Sequence, residues 1–585
     1  MKRKLCDSAA WGRSLVFCAV VLGSSALALG QSSKISPDLT NLSSTSAVNV
    51  IVQYNTAPTA TNINLAASVG AGIGSSGNAW VQLKQAGYMM SPGQAKQLIS
   101  EDSNVKYISP DRALQSTATG NSSLTLDYYD ATVNAPYGWN LGYSGTGVGV
   151  AVIDSGIMTG LSDFGSRVTF SQSFVATDAG TADKYGHGTH VGGIVAGNGK
   201  SSTGSNDTYT FKGIAPNANL INLRVLDQNG QGTDSAVISA INWAVANKAK
   251  YNIRVMNLSL GRPVYESYTL DPLCQAVESA WKAGIVVVVA AGNQGRNNSA
   301  NTNGYGTITA PGNDPYVITV GAMKTMGTPS RGDDNIASYS SKGPTLYDHV
   351  VKPDLVAPGN RINSLYTAGL TLPVSYPGNE IPTSLYQSNG NSTSSSTYYQ
   401  LSGTSMAAPM VSGTVALMLQ QNSNLTPDQV KARLMKTAYK VFPTYSTATD
   451  PTTGTTYTSQ YDIFTVGAGY LDVQAALSNT DLATATAGSA LSPTVTHDKS
   501  GNTVLVNGSS VIWGGSVAWG TSVVWGTSVL WGTNVSGQSV IWGNSVCWGT
   551  STMQGYSVIW GNSVVWGTSS TTAGESTAIA INGEN

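Results

Sequence analysis

Cysteine is scarce in this 585-residue chain, with four in all. Cys6 and Cys18 fall in the first segment, while Cys274 and Cys547 stand in different units. A disulfide scaffold is therefore not expected, and stability has to come from packing or bound ions. Charge is scarce too. Charged residues make up 10% of the chain, where about a quarter is usual. Thirty basic residues nearly balance 31 acidic ones, for a net charge of −1. With no basic run beyond the first few positions, nucleic acid is excluded as a partner, because that binding rests on neutralising phosphates. Ser, Thr, Asn and Gly supply the polarity instead, as suits a non-cytosolic surface. Histidine is the third shortage. A zinc site needs three or four convergent ligands, and with four histidines in the chain the pair His187 and His190 finds no partners in its neighbourhood. His190 is read as a structural helix residue, and no metal ligand is assigned. The length exceeds what one core organises, so several units are expected.

What the chain does contain is four segments that together compose an acyl-transfer site. Ser405 lies in Gly403-Thr404-Ser405-Met406-Ala407-Ala408-Pro409, at the start of a run with helical apolar spacing. At a first helical turn its own N–H is among the unpaired donors and points toward anything bound there. A helix cap is the plainer role for an isolated Gly-x-Ser. The other segments argue against that role here. Val148 to Ile153 reads as a buried parallel strand ending at Asp154-Ser155-Gly156, the strand end where open α/β sheets place ligands. Gly186-His187-Gly188-Thr189-His190 opens a glycine-rich helix, and Gly284 to Gly292 reads as a buried strand that stops at Asn293. Serine is too weak an acid to attack unaided at neutral pH. His187 is thus expected to take its proton and Asp154 to hold the ring's tautomer. Asn293 and the N–H of Ser405 are expected to hold the developing oxyanion.

These segments, in this order and wording, resemble the subtilisin family of serine proteases. Tyr339-Ser340-Ser341-Lys342-Gly343-Pro344 and Lys352-Pro353-Asp354-Leu355-Val356-Ala357-Pro358-Gly359 carry the same resemblance, which spans residues 47–478. The chain order Asp, His, Ser separates the family from other triad enzymes. The resemblance implies an α/β fold, a doubly wound and mostly parallel sheet. It also implies a peptide-binding edge over Asn257-Leu258-Ser259-Leu260-Gly261, with Ser259, Leu260 and Gly261 as its substrate-binding residues, and a specificity pocket lined by Ala290, Ala291 and Gly292 with Thr309 at its floor. A small or medium apolar side chain is then expected at the cleaved bond, and Gln294 offers no rim carboxylate to attract a basic one. No cofactor is implied for catalysis. Structural calcium is common in the family, but no acidic loop here is assigned to it.

Around this core the chain divides further. Lys2, Arg3, Lys4 and Arg13 precede an apolar run from Leu15 to Leu29, so residues 1–30 read as a secretory signal. An uncleaved anchor is the other reading. Residues 47–115 form a strand–helix–strand unit that resembles the family's inhibitory propeptide, a small α+β domain whose last strand lies in the cleft. Autocleavage is then expected between Leu114 and Asn121. Residues 116–478 are the catalytic domain, with insertions at 199–211 and 360–401 near the cleft or its rim. A Thr-, Ser- and Ala-rich linker runs over 479–508.

The last part, 509–570, repeats Trp-Gly at Trp513, Trp519, Trp525, Trp531, Trp542, Trp548, Trp560 and Trp566, and no charged residue falls between Gly501 and Gly574. Six is even, so in an extended chain the tryptophans at six-residue spacing share one face. A repetitive β appendage is expected, either attaching to cell-surface glycan or another polymer, or packing on itself. Two functions therefore compete. One is a secreted serine endopeptidase made as a zymogen, cutting proteins or peptides and inhibited by its own propeptide. The other is a catalytically retired scaffold that works through its repeats. The complete set of four segments favours the enzyme, with activity rising from mildly acidic to neutral pH as the base histidine loses its proton.

Overall fold

The computed structural model describes residues 34–74, 79–116, 124–299, 302–450 and 453–497, short backbone segments between 503 and 547, and residue 584. The proposed signal segment 1–30 lies outside the described residues.

Runs of Val, Ile and Ala free of turn residues become the strands of an eight-stranded sheet. Its path runs Asn335–Ile336, Ile318–Lys324, Val286–Ala290, Ile253–Leu258, Gly149–Asp154, Asn219–Arg224 and Val168–Ser173, with Leu355–Pro358 paired to Ile318–Lys324. All pairings are parallel except that of the short Asn335–Ile336. Burial on both faces explains why these strands read as unbroken apolar runs rather than alternating ones. Helices Thr404–Gln421 and His187–Ala196 pack on one another and on the sheet, and Asp234–Asn247 pairs with Pro272–Lys282 elsewhere on it. The result is an α/β core with every catalytic candidate at the carboxyl edge of a strand or the start of a helix. Cys274 is buried with a free thiol that donates to Asn313 Oδ1 at 3.2 Å.

Residues 48–110 carry a separate antiparallel sheet in which Val48–Tyr54 lies between Gln85–Met90 and Val105–Pro110. Helices Ala60–Ser68 and Pro92–Glu101 accompany it. The second is the helix that Ser91 and Gln94 cap reciprocally. The first is a helix additional to the strand–helix–strand order expected for this unit. Thr59 and Asn62 form a capping box there, and Asn, Ala and Thr dominate a segment without a clear apolar stripe. This unit sits on the helix pair 234–247 and 272–282: Trp80 Nε1 donates to Ser239 Oγ at 2.8 Å and Gln85 Nε2 to the Pro272 carbonyl at 3.0 Å. Its exit segment is tied down by buried ions. Arg112 reaches Glu266 at 2.6 Å and Asp38 at 3.0 Å, while Tyr107 donates to Glu266 at 2.6 Å.

The two insertions meet. Asp207 bridges to Gln387, the Thr208 N–H donates to the Tyr386 carbonyl at 2.7 Å, and the Phe211 ring packs at a tilt against Tyr398 with centroids 4.3 Å apart. The segment expected as a linker lies against the body over 483–495. Its anchors include Ser492 Oγ on Asp354 at 2.5 Å and the Val351 N–H on the Pro493 carbonyl at 2.8 Å. In the repeat region the described backbone forms short strands, with Val523–Gly526 between Val517–Trp519 and Val540–Gly543 and Trp525 in parallel register with Trp542.

Candidate active site

Asp154 ends the strand Gly149–Asp154, and His187 is the first residue of the helix His187–Ala196. The two meet, with His187 Nδ1 2.7 Å from Asp154 Oδ1. Glycine makes this approach feasible. A Cβ on Gly188 would stand 2.2 Å from the Gly156 carbonyl and 3.2 Å from Asp154 Cβ, so any other residue would push the helix off the strand end. Gly186, before the histidine, has φ of 110°, a conformation natural to glycine alone.

A residue not singled out from the sequence, Asp183, fixes the start of that helix. Its carboxylate accepts the N–H groups of Tyr185, Gly186 and Thr189 at 3.0, 2.8 and 2.8 Å and the hydroxyls of Ser155 and Thr189 at 2.9 and 2.7 Å. Burial pushes this carboxyl above its ordinary range, and those same hydrogen bonds oppose the push. Asp four residues before a helix is an ordinary turn residue in sequence, so no local signal marks it.

Ser405 lies in the first turn of the helix Thr404–Gln421, after Gly403 at φ 146°. Its Oγ donates to the Ser259 carbonyl at 3.0 Å, and Ser259 Oγ returns a bond to the Ser405 carbonyl at 2.8 Å. Asn257 Nδ2 holds Ser259 Oγ at 2.9 Å, which ties this pair to the central strand. His187 Nε2 makes no hydrogen bond, and both His187 and Ser405 are fully buried. A missing hydrogen bond between a candidate base and a candidate nucleophile is ordinary before substrate binds. Asn293, just beyond the strand Val286–Ala290, has its Oδ1 fixed by the Thr404 N–H and hydroxyl, both at 2.9 Å. That sets the amide so its NH2 faces the other way.

The expected peptide edge is shorter than the sequence suggested. Asn257 and Leu258 belong to the central strand Ile253–Leu258, and Leu260–Gly261 forms the edge. There Ala113–Ser116 pairs antiparallel with Leu260–Gly261, and on its other side with Gln231–Thr233. Beside this edge Thr309 stands between two glycines. A Cβ on Gly261 would lie 2.6 Å from Thr309 Oγ1, and one on Gly292 2.8 Å from its Cγ2. Ala290 and Ala291 are buried next to them. His190 lies apart from this line, its Nε2 3.0 Å from the carbonyls of both Ile362 and Tyr399, and burial drives its pKa down to about 3. Among the described residues no group of three or more His, Cys, Asp or Glu is placed to hold a metal ion, and no helix is long and apolar enough to cross a membrane.

Comparison with known proteins follows the same outline. The chain is 39% identical over 357 residues to serine protease AprX of Bacillus subtilis strain 168, covering 59% of this chain and 72% of that one. It is 37% identical over 297 residues to subtilisin DY of Bacillus licheniformis, covering 51% and 85%. In fold it is similar to fervidolysin from Fervidobacterium pennivorans, with a TM-score of 0.54 at 22% identity, covering 77% of this chain and 64% of that structure. A mostly parallel α/β core and relatives of this kind define the class, a serine endopeptidase. Residues 145–470 match the model of the subtilase family, and the chain belongs to it.

Proposed function

We propose that the chain is a zymogen whose residues 47–115 fold as a propeptide, and that Ser405, His187, Asp154 and Asn293 hydrolyse the peptide bond that the cleft presents. The observation that carries this is the strand Ala113–Ser116, held antiparallel between Gln231–Thr233 and Leu260–Gly261 as an extended substrate would be. In the reaction Ser405 Oγ attacks the scissile carbonyl while its proton passes to His187 Nε2. Asp154 stabilises the imidazolium through Nδ1–H, and the Asn293 amide with the Ser405 N–H takes the oxyanion. His187 then gives the proton to the leaving amine, and water, activated by the same imidazole, releases the acyl group.

The pairing of Gln115 with Gly261 and Ser116 with Leu260 leads toward Ser259, whose carbonyl already holds Ser405 Oγ. Cleavage is therefore proposed directly after Thr117. Dissociation of the cut propeptide has to break the bonds of Arg112 and Tyr107 to Glu266, so Arg112→Met should weaken inhibition in trans. A fluorophosphonate probe should label the mature enzyme and lose its target in Ser405→Ala. That variant should also retain the uncut chain, and Edman sequencing of the active product should begin at Ala118. An uncut active enzyme would overturn the zymogen reading. Labelling that survives Ser405→Ala would overturn the nucleophile.

Thr309, wedged between Gly261 and Gly292, supports a preference for small or medium apolar side chains. Thr309→Gly should move kcat/KM toward Phe and Tyr at the cleaved residue. Secretion is supported by the basic-then-apolar order of residues 1–30. Attachment to an insoluble glycan is supported only by the recurrence of Trp-Gly, mostly at six-residue spacing, in an uncharged segment. Removing 509–570 while keeping the residues after them should abolish cell or glycan binding, and unchanged binding would end that idea.

A further inference from the structure

Glu584 is buried against residues of the catalytic body that lie more than 200 positions earlier in the sequence. Every polar group it has is engaged. Oε1 lies 2.7 Å from Arg296 Nη2 and accepts the Ser338 hydroxyl, and Oε2 accepts the Ser338 N–H at 3.0 Å with Lys324 Nζ at 3.3 Å. Its main chain is read as well: the Glu584 N–H donates to Asn360 Oδ1 at 2.9 Å and Asn360 Nδ2 donates to the Glu584 carbonyl at 3.0 Å. The cations are themselves built in. Arg296 is braced by Asp450 at 2.8 Å and by Ser338 Oγ at 2.6 Å and lies over the Tyr457 ring, and Lys324 is nearly fully buried at the end of its strand. Two buried cations thus face Asp450 from the body and Glu584 from the tail, so the tail supplies the second negative charge.

We infer that Arg296, Lys324, Ser338 and Asn360 form a carboxylate-binding site whose ligand is the glutamate near the chain's own carboxyl end. A carboxylate with bidentate reach satisfies both cations at once, and the paired amide of Asn360 fixes the backbone that carries it. A glutamine would keep the shape and lose the charge, and an aspartate would fall short by one methylene. Burial would raise the glutamate's pKa, yet Lys324 and Arg296 bring it below the ordinary range, as befits an ionised ligand.

The site's position gives it a consequence. Asn360 follows Gly359, whose carbonyl accepts the Gly403 N–H at 2.7 Å and the Tyr339 hydroxyl at 3.1 Å. Arg296 lies three residues beyond Asn293. The latch therefore sits behind the turn that carries Ser405. The chain is also fixed upstream, where the Val495 N–H donates to the His349 carbonyl at 2.9 Å. These two contacts, at Val495 and at Glu584, lie on either side of the Trp-Gly repeats in sequence.

The test is hydrogen–deuterium exchange on the full chain carrying Ser405→Ala, which prevents self-cleavage. The peptide spanning Glu584 and the Ser338 amide should both be protected. Glu584→Gln should speed exchange at both by tenfold or more, and Glu575→Gln, which changes another acid on the same tail, should leave both unchanged. A synthetic peptide of residues 578–585, added to the Glu584→Gln chain, should restore protection at Ser338, and the same peptide with Gln at 584 should not. Random-coil exchange of the unsubstituted carboxyl end, unchanged protection in Glu584→Gln, or equal rescue by both peptides would each overturn the inference.

Discussion

Two helices begin at the carboxyl edge of the sheet, one at His187 and the other at Thr404, and their starts are closed in opposite ways. The first gives its N–H donors to a carboxylate, Asp183. The second gives the Thr404 N–H to a neutral amide, Asn293 Oδ1. A helix start carries a partial positive charge. Where a carboxylate cancels it, the helix becomes a rigid mount, which suits a base that has to be held in one orientation. Where only an amide caps it, the field survives and can stabilise a negative oxygen formed beside Ser405. In the proposed reaction the same piece of secondary structure thus serves once for positioning and once for electrostatics.

The largest effects should come from the line of residues the two helices share. Asp154→Asn keeps the shape but favours the wrong tautomer of His187, and kcat should fall about 10⁴-fold, as in other triad proteases. Putting a charge at the second helix start should break the comparison outright. Asn293→Asp leaves an acceptor for Thr404 but turns a second carboxylate oxygen toward the oxyanion. Its loss of kcat should exceed that of Asn293→Ala, for which about 10²–10³-fold is expected from the corresponding subtilisin donor. Burst kinetics on a small ester would show whether acylation carries the loss. Equal effects of Asp and Ala would mean the field at that helix start is unimportant.

Much of this was legible because chemistry and local structure coincide in the sequence. Asp154, Asn293 and Ser405 each stand where an apolar run meets small residues, so strand ends and helix starts announce themselves. Asp183 was not legible, because its role exists only once the helix it caps is in place and Ser155 has been brought beside it. The pairing of the two insertions through Asp207 and Gln387 is likewise a tertiary fact between segments remote in sequence. The helix Ala60–Ser68 hid behind weak amphipathicity. Residues 483–495 are polar enough to read as a linker, yet Ala490 and Val495 bury their few apolar atoms on the body. Glu584 could not be found at all from a tail end that looks like any acidic terminus.

Removing the charge at the first helix start should cost less than altering the second. Asp183→Asn keeps most of the geometry while one acceptor becomes a donor facing N–H groups. Stability should drop by about 1–3 kcal/mol, with kcat falling far less than in Asp154→Asn. Urea unfolding on the inactive Ser405→Ala background would read the first number and steady-state kinetics the second. A loss of kcat as large as that of Asp154→Asn would make Asp183 more than a mount.

The smallest effect belongs to His190, on the same helix as the base but facing away from the reaction. Burial, aided by repulsion from His187, lowers its pKa to about 3, while its hydrogen bonds to the Tyr399 and Ile362 carbonyls pull the other way. In the unfolded chain it titrates near 6.5, at about the free-histidine value. Between those two values the unfolded state binds the extra proton. Its contribution to stability is thus complete above about pH 6.5 and is lost as the pH falls toward 3. From pH 7 to pH 4 the loss should be on the order of 3 kcal/mol. In His190→Gln, whose amide can still donate to those carbonyls, the unfolding free energy should fall less steeply over the same range. Nothing in the acid limb of kcat above pH 5 should move, since His190 stays neutral there. Parallel stability curves for the two proteins would show that acid sensitivity lies with the carboxylates instead.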